Sequence, residues 1–182
     1  MSDNEWKSRL RRMGVPAMYY SARLSDFSTA IQKSLGDPYT ARGYFLTGAT
    51  GTGKTHLAAA ILCGWTRAKN SSKAIFTGAT EYLASIKASF DSNEPPSEAW
   101  IVRTHQRARF LVLDDLGAEK QTEWAFSALY RLIDYRVAEL LPLIVTSNKS
   151  LQELDRVDPR IASRLGGLTV ICLGGKDRRL SR

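Results

Sequence analysis

Residues 45–56 read Phe45-Leu46-Thr47-Gly48-Ala49-Thr50-Gly51-Thr52-Gly53-Lys54-Thr55-His56. An apolar, strand-like run ends in a loop of small residues, and an alanine-rich helical run starts at the lysine. Gly48 to Thr55 fits the spacing G-x-x-x-x-G-K-[ST]. Small side chains let a backbone close tightly around an anion, and glycine tolerates the positive φ values this requires. Successive N–H groups then converge on phosphate oxygens at the positive end of the following helix. The spacing therefore predicts a phosphate loop made by Gly48, Ala49, Thr50, Gly51, Thr52 and Gly53. Lys54 would reach the β- and γ-phosphates of ATP, and the Thr55 hydroxyl would ligate Mg²⁺. His56 is read as a packing or polar contact beside the nucleotide, outside the chemistry.

From this loop the pattern extends in both directions as alternating strands and helices. Strand-like runs appear at 44–48, 73–78, 109–117, 142–148 and 168–175. Helical runs lie at 54–69, 80–90, 98–108, 122–141 and 158–165. Such alternation predicts a parallel sheet covered on both faces, with ligands at the carboxyl ends of its strands. The expected fold is a three-layer α/β P-loop NTPase with a central five-stranded parallel sheet. Residues 1–42 read as an extension and linker, and 43–182 as the core. In the extension, 4–14 form an amphipathic helix with Trp6, Leu10 and Met13 on one face. That face leaves two readings open: docking a partner, or folding back onto the core.

The chain has 182 residues, which suits one domain. Its formal net charge is +8, with much of the excess near the two ends. This balance favours polyanionic partners such as nucleic acid without specifying them. Two cysteines without metal or redox spacing fit a reduced, cytoplasmic chain. No apolar run reaches the ~18–20 residues of a membrane span, and the N-terminus lacks the apolar core of a secretion signal.

The second acidic element is Phe110-Leu111-Val112-Leu113-Asp114-Asp115. Two carboxylates closing a buried strand need a cation or hydrogen bonds to offset desolvation. Asp114 is the expected Mg²⁺-shell residue, and Asp115 the group that polarises water for attack on the γ-phosphate. Many hydrolysing P-loop proteins carry glutamate at the second position, and aspartate reaches one methylene less. Asn148 closes the run Leu143–Asn148, where it can hold that water or cap the next helix. Arg160 and Arg164 stand four apart on one helix face. Either can pair locally with Asp155 or Asp158, the reading favoured for Arg160. Trp65, Trp100, Trp124 and Tyr130 are expected in the core or in subunit contacts.

These motifs, GATGTGKTHLAAAI, FLVLDDLG, EWAFSALYRLIDYR, LIVTSN and RIASRL, together resemble the AAA+ ATPases of the DnaC/IstB group. That group comprises helicase loaders and the ATPase subunits of certain transposons. GVPAMYYSARLSDF resembles the segment preceding the core in the same group, so the likeness covers nearly all of the chain from about residue 14. The resemblance implies the sheet order 5-1-4-3-2, Asn148 as sensor 1, Arg164 as an arginine finger acting in trans, and Arg179, or Arg178, as sensor 2. Thr77 would match a polar residue that switches the catalytic acid. It also implies ATP hydrolysis in a homo-oligomer on single-stranded DNA, with a replicative helicase as partner. The alternative is an IstB-like transposition regulator acting with a transposase on duplex DNA. The pattern departs from most AAA+ proteins in a reduced or absent helical lid. Two other classes remain: a small-molecule kinase acting as a monomer, and a nucleotide-gated adaptor that does not hydrolyse.

Overall fold

A computed structural model describes residues 2–71, 73–90, 95–120 and 122–175. The elements are α1 (Asp3–Arg12), α2 (Thr29–Leu35), β1 (Gly43–Thr47), α3 (Lys54–Ala68), β2 (Ala74–Gly78), α4 (Ala79–Ala88) and α5 (Glu98–Arg107). They continue with β3 (Phe110–Leu116), α6 (Glu123–Ala138), β4 (Leu143–Ser147), α7 (Leu151–Asp155), α8 (Pro159–Gly166) and β5 (Thr169–Cys172). All five strands are parallel, in the order β2-β3-β4-β1-β5. This is the sheet order that the resemblance implied, and the parallel, helix-covered sheet is the one the strand–helix alternation predicted.

The period-2 geometry of strands splits the core into two layers. Tyr44, Leu46, Val112 and Ile144 face one side, where they meet Leu57, Ile61 and Trp65 of α3. Phe45, Leu111, Leu113 and Val145 face the other, against Tyr82 of α4 and Leu129, Leu132 and Ile133 of α6. Strands buried on both faces read as continuous apolar runs, so the sequence showed their positions better than their facing.

The N-terminal residues belong to the first layer. Trp6, Leu10, Met13, Val15, Ala22, Phe27 and Leu35 are buried in the same cluster as α3. The apolar face of α1 is therefore turned inward. Trp6 Nε1 donates to the Tyr20 carbonyl at 3.3 Å, and the Arg67 guanidinium lies 4.2 Å over the Trp6 ring. Phe76 N–H donates to the Met13 carbonyl at 2.7 Å, so the end of α1 covers the outer edge of β2, where an unpaired strand would invite association. Gly14 makes this approach possible. Its φ is +82°, and a Cβ there would stand 2.3 Å from the Phe76 carbonyl oxygen.

Arg136 of α6 is fully buried and acts as a staple. Its guanidinium donates to the carbonyls of His105, Gln106, Ala108 and Pro142 at 2.5–3.0 Å. This ties the end of α5 to the start of β4. Burial holds its pKa down to about 10, still cationic at neutral pH. Of the aromatic residues expected in the core or in subunit contacts, Trp65 is in the core, and Trp100 is 59% exposed on α5, because Ile101 and His105 supply the packing face of that helix. No helix among the described residues is long and apolar enough to cross a membrane.

Candidate functional site

A cleft of about 680 Å³ opens at the carboxyl ends of β1, β3 and β4, and Thr50, Gly51, Gly53, Lys54, Thr55, His56, Asp114, Asp115, Thr146 and Asn148 line it. The loop between β1 and α3 takes glycine conformations at its tight points. Gly51 and Gly53 have φ of +80° and +98°. Gly48 is constrained from outside as well, since a Cβ there would sit 2.1 Å from the Leu173 carbonyl oxygen just past β5. Thr52 Oγ donates to the Ala49 carbonyl at 2.8 Å and closes the turn.

Lys54 Nζ donates to the carbonyls of Gly48 and Ala49 at 2.8 Å each, and to Asn148 Oδ1 at 2.6 Å. Asn148 Nδ2 donates in turn to Asp115 Oδ1 at 3.1 Å. One amide thus joins the loop lysine to the second carboxylate. Asp115 has φ of +57°, unusual for a residue with a side chain. It lies where the β3–β4 register slips by one residue between Leu113 and Leu116. Such a bulge re-aims side chains, and here Asp114 and Asp115 both line the cleft although they are adjacent in a strand.

Thr146 was not singled out in the sequence, and it holds this corner together. Its hydroxyl donates to Asp114 Oδ1 at 2.7 Å and accepts from the Asp115 N–H at 2.8 Å. Burial raises the Asp114 carboxyl above the usual carboxylate range, opposed by the hydroxyls of Thr146 and Thr55. A half-buried carboxylate beside a threonine hydroxyl, both hard oxygen donors, fits Mg²⁺, whose charge would hold Asp114 ionised. The loop and Lys54 likewise fit a triphosphate.

The N-terminal segment supplies a wall that was also missed. Pro16, Met18 and Tyr19 line the cleft. Asp26 Oδ2 lies 2.8 Å from His56 Nε2, and the His56 ring packs edge-on against Phe27 at 5.3 Å. His56 therefore fastens this segment to the start of α3. The aromatic content of residues 18–27 was the only signal available for this.

The arginines lie elsewhere. Arg160 pairs through two nitrogens with Asp158, at 3.1 and 2.7 Å, and covers the Tyr130 ring. Of the two acids offered by the sequence, it takes the second. Arg164 pairs instead with Asp134 of α6, while 43% of its side chain stays exposed. Neither arginine lines the cleft. Thr77 is buried in β2, where its hydroxyl donates to the Gly78 carbonyl, and it does not line the cleft. Arg178 and Arg179 fall outside the described residues.

A family model for IstB-like ATP binding proteins matches residues 38–165. The chain belongs to that family. Among curated relatives, the replicative helicase loader DnaI of Bacillus subtilis is 29% identical over 136 residues, covering 73% of this chain and 42% of DnaI. Among solved structures, a crystal structure of DnaI has a TM-score of 0.70 at 24% identity, covering 93% of this chain and all of that one. The AMPPCP-bound DnaA of Aquifex aeolicus gives 0.70 at 19% identity, covering 87% and 52%. These two structural likenesses establish the fold. The chain spans about two-fifths of the length of the curated relatives it matches.

Proposed function

We propose that this IstB-like chain is an ATP-hydrolysing AAA+ protein of DNA replication that assembles on single-stranded DNA and loads or remodels a replicative helicase. The observation that carries the nucleotide chemistry is the continuous link from Lys54 through Asn148 to Asp115, beside Asp114 and Thr55. Backbone N–H groups of Gly48–Gly53 bind the phosphates, and Lys54 Nζ neutralises charge at the β–γ bridge. Thr55 Oγ and Asp114 would hold Mg²⁺, which supplies charge neutralisation on the phosphate oxygens when bound. Asn148 fixes the rotamer of Asp115, whose carboxylate accepts a proton from the water that attacks the γ-phosphorus. Arg164, exposed and outside its own cleft, would complete the site of a neighbouring copy, and assembly would then control turnover. The likeness to DnaI supports the choice of a helicase as partner.

The match to IstB-like ATP binding proteins keeps a second reading in play: a transposition regulator acting with a transposase on duplex DNA. ATP turnover and particle mass, measured together with single-stranded DNA, duplex DNA and no DNA, separate the two. The first reading expects the single strand to stimulate turnover and raise the mass; stimulation confined to duplex favours the second. Arg164→Ala should bind ATP normally and lose the stimulated turnover. A variant that retains it would remove the trans role.

A further inference from the structure

Asn148 carries the link between Lys54 and Asp115, yet it is exposed at the tip of the sheet. What fixes it is the backbone around it. Ser147 closes β4, Thr47 closes β1, and the two are paired in register. Both are buried, at 0% and 7% exposure, and neither lines the nucleotide cleft. Ser147 Oγ donates at 2.6 Å to the carbonyl of Leu116, the last residue of β3, and accepts from the Lys149 N–H at 3.0 Å. Thr47 Oγ1 donates to the Lys149 carbonyl at 2.8 Å. Two hydroxyls thus hold the residue after Asn148 by both of its backbone groups and tie it to β1 and β3.

We infer that Thr47 and Ser147 are positioning residues for ATP hydrolysis that act through Asn148, an inference that rests on the hydrolysis proposed above. An asparagine side chain has few torsions, so the place of its amide follows the backbone that bears it. The amide's own contacts are divided: its oxygen faces Lys54 and its nitrogen faces Asp115. An ammonium has three N–H donors, and Lys54 directs them at Gly48, Ala49 and Asn148. A phosphate oxygen bound by Lys54 takes one of those donors. The amide can give up that partner and still stand beside Asp115 only if its backbone is held from elsewhere, and the two hydroxyls hold it. Without them the Leu116 and Lys149 backbone groups lose their partners, a buried state that drives rearrangement, and the turn at 147–149 shifts. Thr47 also directly precedes Gly48, so the clamp registers the phosphate loop against the amide that serves Asp115. Because both hydroxyls lie outside the cleft, their removal slows the chemical step and leaves nucleotide affinity in place.

The test uses the full chain, with ATP turnover, affinity for a non-hydrolysable ATP analogue in Mg²⁺, and thermal melting measured for each variant. Displacing a positioned group by ~1 Å can cost about a hundredfold, so Thr47→Val and Ser147→Ala should each lower kcat by about tenfold to a hundredfold. Analogue affinity should stay within about twofold of the wild type. Thr47→Val keeps the shape of the side chain and carries the test even if Ser147→Ala fails to fold. Thr47→Ser keeps the hydroxyl and should recover most of kcat. The same substitutions are then added to Asn148→Ala, with single turnovers where the steady state is too slow. A hydroxyl that acts through Asn148 has nothing left to position there, so either addition should change the rate by less than about twofold. A general weakening of the fold would instead lower the rate by the same factor in both backgrounds, and that result would overturn the inference. So would wild-type kcat in Thr47→Val and Ser147→Ala, or an affinity that falls in step with kcat. In each of these cases the wild-type chain still turns over ATP, and the proposed hydrolysis stands. No turnover by the wild-type chain, with or without DNA, would overturn hydrolysis and this inference together.

Discussion

Thr146→Val isolates the one hydroxyl that serves both acidic residues. Valine matches threonine in shape, and position 146 is 1% exposed, so the change opens no cavity. It still removes the donor to Asp114 Oδ1 and the acceptor for the Asp115 N–H. A hydrogen bond to a charged group contributes about 1.5–3 kcal/mol, and an unsatisfied buried N–H costs about 1–3 kcal/mol. Partial relaxation at the mouth of the cleft reduces that sum, and we expect a net loss of about 3 kcal/mol. For a chain of this size that lowers Tm by roughly 6–12 °C. ATP turnover should fall further than the stability loss alone explains, because the Asp115 backbone loses the contact that fixes its positive-φ conformation. Differential scanning calorimetry and steady-state ATPase assays, run below the transition, read the two effects separately. Thr146→Ser keeps the hydroxyl and should recover most of both. If the valine variant melts and turns over like the wild type, or the serine variant is as impaired as the valine one, the bridging role is wrong.

Two more predictions concern the scaffold under the site. Arg136→Met should lose at least about 4 kcal/mol, because four buried carbonyls lose a charged donor at once; a urea midpoint close to that of the wild type would contradict the staple. His105 is held neutral by burial, with its pKa below the usual 6.5. Its contribution to stability is full above that value and is lost as pH falls through the lowered folded one. Between pH 7.5 and 5.5 the wild type should therefore lose more stability to urea than His105→Gln does; equal losses would exclude His105 as the group that takes up the proton.

The parts of this molecule visible in its sequence are those encoded by local pattern. The phosphate loop is contiguous, its glycines are required by backbone geometry, and the apolar runs of β1, β3 and β4 mark their own positions. Asp114, Asp115 and Asn148 were found because each closes such a run. The contacts that were missed join residues far apart in the chain and leave no periodic trace. Thr146 reaches Asp114 across 32 positions, and His56 reaches Asp26 across 30. The sequence offered Arg164 the acids nearest in the chain; the structure gives it Asp134, one helix away. Trp100 was expected in a core or contact surface by residue type alone. Facing on a short helix is decided by which residues its neighbours can pack, and here Ile101 and His105 hold that place. The amphipathic face of α1 was legible, but its destination depended on Gly14 admitting the β2 edge.

The account depends on triphosphate seating at the tips of β1, β3 and β4 through Lys54 and Asp114. Isothermal titration of the full chain with a non-hydrolysable ATP analogue, with and without Mg²⁺, tests this most directly. We predict one site per chain, strengthened by Mg²⁺, and weakened about tenfold or more by Lys54→Ala as a charged contact is lost. No binding to the wild-type chain, or binding to Lys54→Ala with unchanged affinity, would contradict it.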